Sequence, residues 1–473
     1  MSKVINGKLE GTVDIKYCLG NFYKIRDYLD KNNILILFCI LICAIVVLWK
    51  IIPPGQTPDE LAHMYRASSL AHGNIVLKAK DGLVGDDINK GLVDYYNKFS
   101  TIPFHKEEKA WNVQGTSEIR FGDDFVYTAF PTHAVYFPLS YIPQALAIGI
   151  GEYAKMRVEK VIALARIFNA IAVFFIFYAV VKIWCIPKLV QLLLLMPLSL
   201  FQLSTVSTDG LHFALVALTT ALFLNLNEKF SWKSFTWLVM LVFILATHRM
   251  NLFVLCLMPF WLAWKYRNSR KGLLFLSFLL IFSIVAWLLL VMKLVPTPRE
   301  GQGMLHIFGY YIKHPFNTIG IIFNTLTNAE LLSFYKSSFV GILGWLDYSV
   351  KNGFINVTYF VLLCVGILSG FGNKGFLLNF DASRLFLIFL CVLGFLSTFV
   401  LLLVQWTPFP CSTYIEGVQG RYFINLMIIM GFALVNRRDN DTSKNSLCTF
   451  VIVLYGIFSL YFTNAATLER YWG

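Results

Sequence analysis

Two stretches, "NILILFCILICAIVVLW" at 33–49 and "LFLSFLLIFSIVAWLLLVM" at 274–292, contain no charged side chain. Each is close to the ~20 consecutive apolar residues that carry a helix across the hydrocarbon of a bilayer. In lipid, every backbone N–H and C=O must find its partner within the spanning structure, so such runs fold as helices. Composition agrees: 57% of the 473 residues are hydrophobic and 14% are charged, where soluble domains hold about 25% charged. The expected fold class is an all-α polytopic membrane protein. Its net charge of +13 is explained by basic cytoplasmic loops. Membrane lipids are therefore expected partners and nucleic acid is not.

Lys and Arg in short loops set orientation. The lead (Lys3, Lys8, Lys16, Lys24, Arg26, Lys31), "KYRNSRK" at 265–271 and "NRRDNDTSK" at 436–444 are basic and predict a cytoplasmic side. The first run lacks a small-x-small cleavage site, so it reads as an uncleaved span. Spans are then expected near 34–52, 161–181, 186–206, 209–226, 235–249, 251–264, 272–295, 352–370, 385–406, 421–436 and 446–463, eleven in all. Counting 136–151 as a further span would invert everything after it. With Pro138 and Pro143 in a barely sufficient length, it is expected as an interfacial or re-entrant helix on the outer side. The organisation is a cytoplasmic segment 1–33, a transmembrane domain 34–463 with a long helical outer loop 53–160, and a short outer tail 464–473. The nine cysteines form no disulfide framework or CxxC metal motif.

In this topology Asp59, Glu60, His63, Arg66, His133, Arg166, Asp209, His248, Arg249, Asp347 and Arg421 all fall outside or at the outer face. Charge near a membrane is costly and marks function. "TPDELAH" at 57–63 also makes a capping box, with Thr57 at the cap, Pro58 next and Glu60 closing it. Capping accounts for Glu60, but not for Asp59, His63 and Arg66 lying at i, i+4 and i+7 on one face. Asp59, Glu60 and His63 could alternatively hold Mg2+ or Mn2+. In "EGVQGRYF", 416–423, two glycines flank Gln419 and would let the backbone approach a ligand. Arg421 beside Tyr422 suits a phosphate, or else an interfacial anchor. "STDG" at 207–210 and "THRMN" at 247–251 are tight turns that offer Asp209, His248 and Arg249. Trp345 and Asp347 in "GWLDYS" form a pair that could stack on and hydrogen-bond a sugar, or anchor an interface. There is no Walker loop, no HExxH, no GxSxG and no GxGxxG opening a helix after a strand, which argues against nucleotide, zinc-protease and serine-hydrolase chemistry.

"TPDELAH", "YFPLSYIP", "ARIFNA", "STD" and "GVQGRYF" together resemble an uncharacterised bacterial family of multispan membrane proteins. That family in turn resembles the GT-C glycosyltransferases, which include protein O-mannosyltransferases and lipid-linked sugar transferases. The resemblance covers about 45–465 and implies a GT-C-like bundle in the bacterial plasma membrane with an extracytoplasmic site. It implies an inverting transferase that moves a sugar from a polyprenyl-phosphate donor to a cell-envelope glycan or glycolipid. By position, Asp59 would be the general base, oriented by Glu60 or His63, and Arg421 would bind the donor phosphate. Unlike in many GT-C enzymes, no large C-terminal soluble domain is expected here. A polysaccharide polymerase or ligase shares this anatomy. A transporter or flippase would instead show inverted repeats and midplane polar groups, and no repeat is visible.

Overall fold

The computed structural model describes residues 32–292, 303–370, 381–411, 413–434 and 442–473. The basic lead 1–31 and loop residues 435–441, which carry part of the predicted orientation, lie outside the described residues.

The chain enters through α1 (Asn33–Ile51) and then builds a connecting domain from α2 (Glu60–Ala71), β1 (Lys78–Lys80), β2 (Leu83–Asn89), α3 (Lys90–Asn97), β3 (Phe125–Ala129) and α4 (Ile142–Tyr153). Sequence patterning predicts a helical loop here; the structure adds a three-stranded antiparallel sheet in the order β1-β2-β3. Its first hairpin is locally encoded. Lys80 pairs with Leu83 across Asp81-Gly82, whose φ values of 53° and 78° are those of the turn that matches strand twist. Val84 and Ile88 point from β2 into a core with Tyr65, Leu92, Tyr95 and Phe130. The segment 136–151 becomes a short 3-10 turn followed by α4, which has 12 residues. At ~1.5 Å per residue that is about 18 Å, too short for a hydrocarbon core of ~30 Å.

The bundle continues with α5 (Val158–Ile183), α6 (Lys188–Leu194), α7 (Pro197–Leu203), α8 (Thr208–Glu228), α9 (Trp232–His248), α10 (Leu257–Lys265) and α11 (Arg270–Met292). Then come α12 (Met304–Lys313), α13 (Pro315–Thr327), α14 (Ala329–Val340), the hairpin β4 (Ile342–Leu343) and β5 (Tyr348–Ser349), α15 (Asn352–Gly370), α16 (Ala382–Gln405), α17 (Arg421–Leu434) and α18 (Thr442–Tyr471). Among the described residues, six helices are long and apolar enough to cross a membrane, and four shorter apolar helices accompany them. Eighty-nine per cent of the apolar window of α8 is buried, against 28% for α1, so α8 is central and α1 peripheral.

The expected span 186–206 is not one helix. Pro197 lacks an N–H and forces the residue before it out of the helical region. Met196 accordingly sits at φ −64°, ψ 148° and divides the segment into α6 and α7. Every residue of both pieces is buried, which is where a broken backbone is tolerated at membrane depth. The last helix runs on to Tyr471, so residues 464–471 extend α18 instead of forming a tail.

Candidate functional site

Asp59 is the N-cap of α2 at φ 66°, ψ 3°, a left-handed conformation that few residues other than Gly, Asn and Asp tolerate. The helix thus starts one residue after Asp59, and the expected capping box with Thr57 at the cap is only half formed. Glu60 Oε2 accepts from the Thr57 N–H at 3.3 Å, while Thr57 Oγ1 has no partner. The turn sends the two neighbouring carboxylates apart. Glu60 is fully buried, with Oε1 at 3.7 Å from Arg166 Nη2 and at 3.5 Å from the Tyr96 hydroxyl, which donates to it. Asp59 makes no capping bond and its side chain is 43% exposed, with Oδ2 at 3.3 Å from Arg421 Nη2. This divergence also separates the carboxylates that could have shared a divalent cation. Among the described residues, no three His, Cys, Asp or Glu side chains gather as a metal site requires.

Arg421 opens α17, and its Nη1 lies 3.9 Å from Asp209 Oδ2. Asp209 is available for this because Ser207 caps α8, its Oγ accepting from the Asp209 N–H at 3.2 Å. The other oxygen of Asp209 accepts from Arg249 at the end of α9. Three helix termini and the α2 turn therefore place two carboxylates and two guanidiniums in one alternating cluster. The glycines beside Arg421 serve protein packing and not ligand approach. A Cβ on Gly420 would stand 2.1 Å from the Phe339 nitrogen, and one on Gly417 would stand 2.3 Å from the Trp406 ring.

Beside the cluster lie buried aromatic rings. His63 Nδ1 is 2.8 Å from the Tyr141 hydroxyl, and its ring meets His133 edge-on at 4.5 Å. His248 stacks on Tyr136 at 4.5 Å and its Nε2 is 3.1 Å from Thr208 Oγ1. Burial pushes His133 down to about 4, against which the Asp59 charge pulls upward. Burial, reinforced by His133, holds His63 well below its ordinary value. For Asp59, burial raises the carboxyl, but Arg421, His133 and Arg249 outweigh it and the net shift is downward. At neutral pH the site holds an ionised carboxylate among neutral imidazoles.

The cluster is under-satisfied. Arg421 Nε, Arg249 Nε and Asp209 Oδ2 lack hydrogen-bond partners, as do Gln419 Oε1 and Gln202 Oε1. Both glutamines and Arg421 line a narrow cavity of about 10 Å3 together with Pro58, Phe201 and Leu346. That is about the room one water molecule needs. Sequence patterning does not single out Gln202; its one signal is a polar residue inside the apolar run "PLSLFQL".

Other candidates are placed elsewhere. Arg66 is fully buried and donates to the carbonyls of Asn74 and Ile75 at 3.0 and 2.6 Å. Arg166 donates to the carbonyls of Trp49 and Ile52. Trp345 Nε1 donates to the Gly55 carbonyl at 2.8 Å, and Asp347 pairs with Arg470 at 2.8 Å. These four groups fasten loops. Tyr422 lies beneath Arg421, with the guanidinium 5.4 Å from its ring centre. The residues that converge are Asp59, Asp209, Arg249, Gln419, Arg421 and Tyr422, with His63, His133 and His248 packed around them.

No curated protein and no solved structure was found to match the chain. A family model described as a predicted membrane protein, DUF2142, matches residues 39–430. That stretch runs from the first spanning helix through Arg421, and the chain belongs to the DUF2142 family of predicted membrane proteins.

Proposed function

We propose that this protein is an integral-membrane inverting glycosyltransferase of GT-C type. It takes a sugar from a polyprenyl-phosphate carrier and passes it to a cell-envelope glycan or glycolipid on the outer face of the plasma membrane. The observation that carries the reading is the half-exposed Asp59 carboxylate 3.3 Å from Arg421, a guanidinium with an unpartnered Nε. Side by side, the two neutralise each other. A donor phosphate oxygen would replace Asp59 on Arg421 as a charge-assisted, bidentate partner. Freed of its cation, Asp59 becomes more basic, which is what proton removal requires. The acceptor oxygen then bonds to the anomeric carbon while its proton passes to Asp59. The bond from that carbon to the phosphate oxygen breaks, and the lipid phosphate leaves with the electron pair, stabilised by Arg421 and Arg249. One displacement inverts the anomeric centre.

An eleven-crossing topology accords with this reading if the six long helices, the four shorter ones and the α6–α7 pair each count once. The broken α6–α7 pair favours a second reading, a lipid-linked glycan transporter, because discontinuous helices mark transport sites. The test is transfer by the reconstituted protein from a panel of polyprenyl-phosphate hexoses and pentoses to isolated envelope glycan, normalised to folded protein. Asp59→Asn keeps a residue that accepts the left-handed turn and should lower transfer by at least ~10²-fold. Arg421→Lys should retain part of the activity and Arg421→Ala little. Near-normal transfer by Asp59→Asn would reject the reading, and carrier movement across the bilayer without sugar transfer would favour the transporter.

A further inference from the structure

Helices α12 and α13 carry apolar side chains on two faces at once. Ile307 and Tyr311 of α12, and Ile321 and Thr325 of α13, are buried in a small core with Phe399, Leu403 and Ile415. Their orientation is pinned by hydrogen bonds: Tyr311 Oη accepts from the Cys411 N–H at 3.1 Å, and Thr325 Oγ1 accepts from the Ile415 N–H at 2.9 Å. Facing away from that core, α12 presents Leu305, Phe308 and Ile312, which are 75%, 44% and 61% exposed. The next helix repeats the same i, i+3, i+7 spacing with Phe316, Ile319 and Phe323, which are 89%, 63% and 64% exposed. At ~100° per residue each triplet spans an arc of roughly 60°. A third side is polar, with His306 and Lys313 on α12 and Asn317 and Asn324 on α13, all exposed.

We propose that α12 and α13 lie in the membrane interface, beside the candidate site, with this six-residue apolar face seated in lipid. Large exposed apolar patches mark interaction surfaces, and continuity identifies the partner as the bilayer. The pair packs on the end of α16, a helix long and apolar enough to span, whose own flank exposes Val392 and Leu396, with Trp406 just beyond its end. Exposed apolar side chains thus occur both on that span and on the two short helices packed at its end. With 10 and 13 residues, about 15 and 20 Å, each is too short to cross a ~30 Å hydrocarbon core, and an apolar face beside a polar one suits an interface. Lys313, at the joint between them, is placed for an anionic headgroup. The α14 helix leads directly from this pair to Ser338, whose Oγ accepts from the Gly420 N–H next to Arg421 at 2.9 Å. The seat is therefore mechanically continuous with the site.

The test uses the full chain, its native cysteines replaced, in nanodiscs of phosphatidylethanolamine and phosphatidylglycerol. An environment-sensitive fluorophore is attached to a single cysteine at Ile312, Asn317, Phe323 or Asn324. Labels at Ile312 and Phe323 should emit blue-shifted light and be quenched by shallow doxyl lipids, whereas those at Asn317 and Asn324 should respond to aqueous iodide. All four sites are exposed, so labelling leaves the core intact. In the double variant Phe316→Glu, Phe323→Glu, lipid quenching at Ile312 should be lost while the protein still elutes as folded material in detergent. Water-like emission at all four positions would overturn the proposal. So would protection of Ile312 and Phe323 that needs two protein copies per disc and is insensitive to doxyl lipid, which would assign the face to a second copy.

Discussion

Arg470 and Arg421 both face aspartates, and the contrast between them separates structure from chemistry. Arg470 is buried and saturated. Its Nε and Nη2 bond Asp347 at 2.9 and 2.8 Å, and its remaining donors reach the carbonyls of Ile102, His105 and Glu108 at 2.6, 3.1 and 3.2 Å. It ties the end of α18 to the connecting domain. Arg421 has longer, looser contacts of 3.3 and 3.9 Å to two aspartates and an idle Nε. One of those aspartates is half exposed and held in a left-handed backbone. Left-handed non-glycine backbone and unsatisfied polar groups recur at ligand sites; Asp59 and Arg421 combine the two, whereas Arg66 and Arg166, each with an idle Nε, show only the second. The same side-chain chemistry therefore serves as a rivet in one place and, in the function proposed above, as a receptor in the other.

The largest effect should come from removing the saturated guanidinium of Arg470. Arg470→Ala leaves Asp347 charged and buried, a loss of about 3–5 kcal/mol. Detergent thermal melts should show it, whereas Arg421→Ala, which leaves Asp209 its Arg249 partner and Asp59 its solvent, should cost less. Equal melting of the two variants would erase the contrast.

Acidity sharpens it next. His133 falls to about 4 in the fold from ~6.5 in the unfolded chain. A depressed imidazole means the unfolded state binds the proton first, so its contribution is complete above pH ~6.5 and lost as pH falls towards 4, about 3 kcal/mol in all. Melts recorded between pH 7 and pH 4 should show this slope, and His133→Gln should flatten part of it.

Glu60→Gln should have the smallest effect on transfer. It retains an oxygen for the Thr57 N–H but removes the charge facing buried Arg166, so near-normal transfer with a stability loss of up to about 3–5 kcal/mol is expected. A large fall in transfer at unchanged melting temperature would return Glu60 to the chemistry and join the two halves of the comparison.

Much of this site is legible in the amino-acid sequence. Asp59, Asp209, Arg249 and Arg421 are drawn together by their positions at the ends of apolar runs on one inferred side. The same reasoning also gathers Arg66, Arg166, Trp345 and Asp347, which fasten backbone carbonyls or Arg470. Position along a membrane normal says how deep a side chain lies, but not which neighbour it meets. The Asp81-Gly82 hairpin and the i, i+3, i+7 faces of α12 and α13 are encoded locally, yet no charge or motif draws the eye to them. Gln202 and the break at Met196–Pro197 are hidden inside a run that looks like one span.

By itself the sequence determined the membrane nature of the chain, because ~20 apolar residues without charge have few other stable homes, and with it the positions of most helices. It also determined that acidic and basic residues gather at helix ends, because mid-bilayer charge is costly. Only the tertiary structure decided that Asp59 turns to Arg421 while Glu60, one residue later, turns to Arg166. That choice rests on a left-handed φ at Asp59 and on contacts across more than a hundred residues of chain, for example Arg166 to the Trp49 carbonyl. Local periodicity encodes which face of a helix is apolar. Which buried charge finds which partner is a property of the assembled bundle, where desolvation leaves a charge stable only beside the partner that packing brings to it.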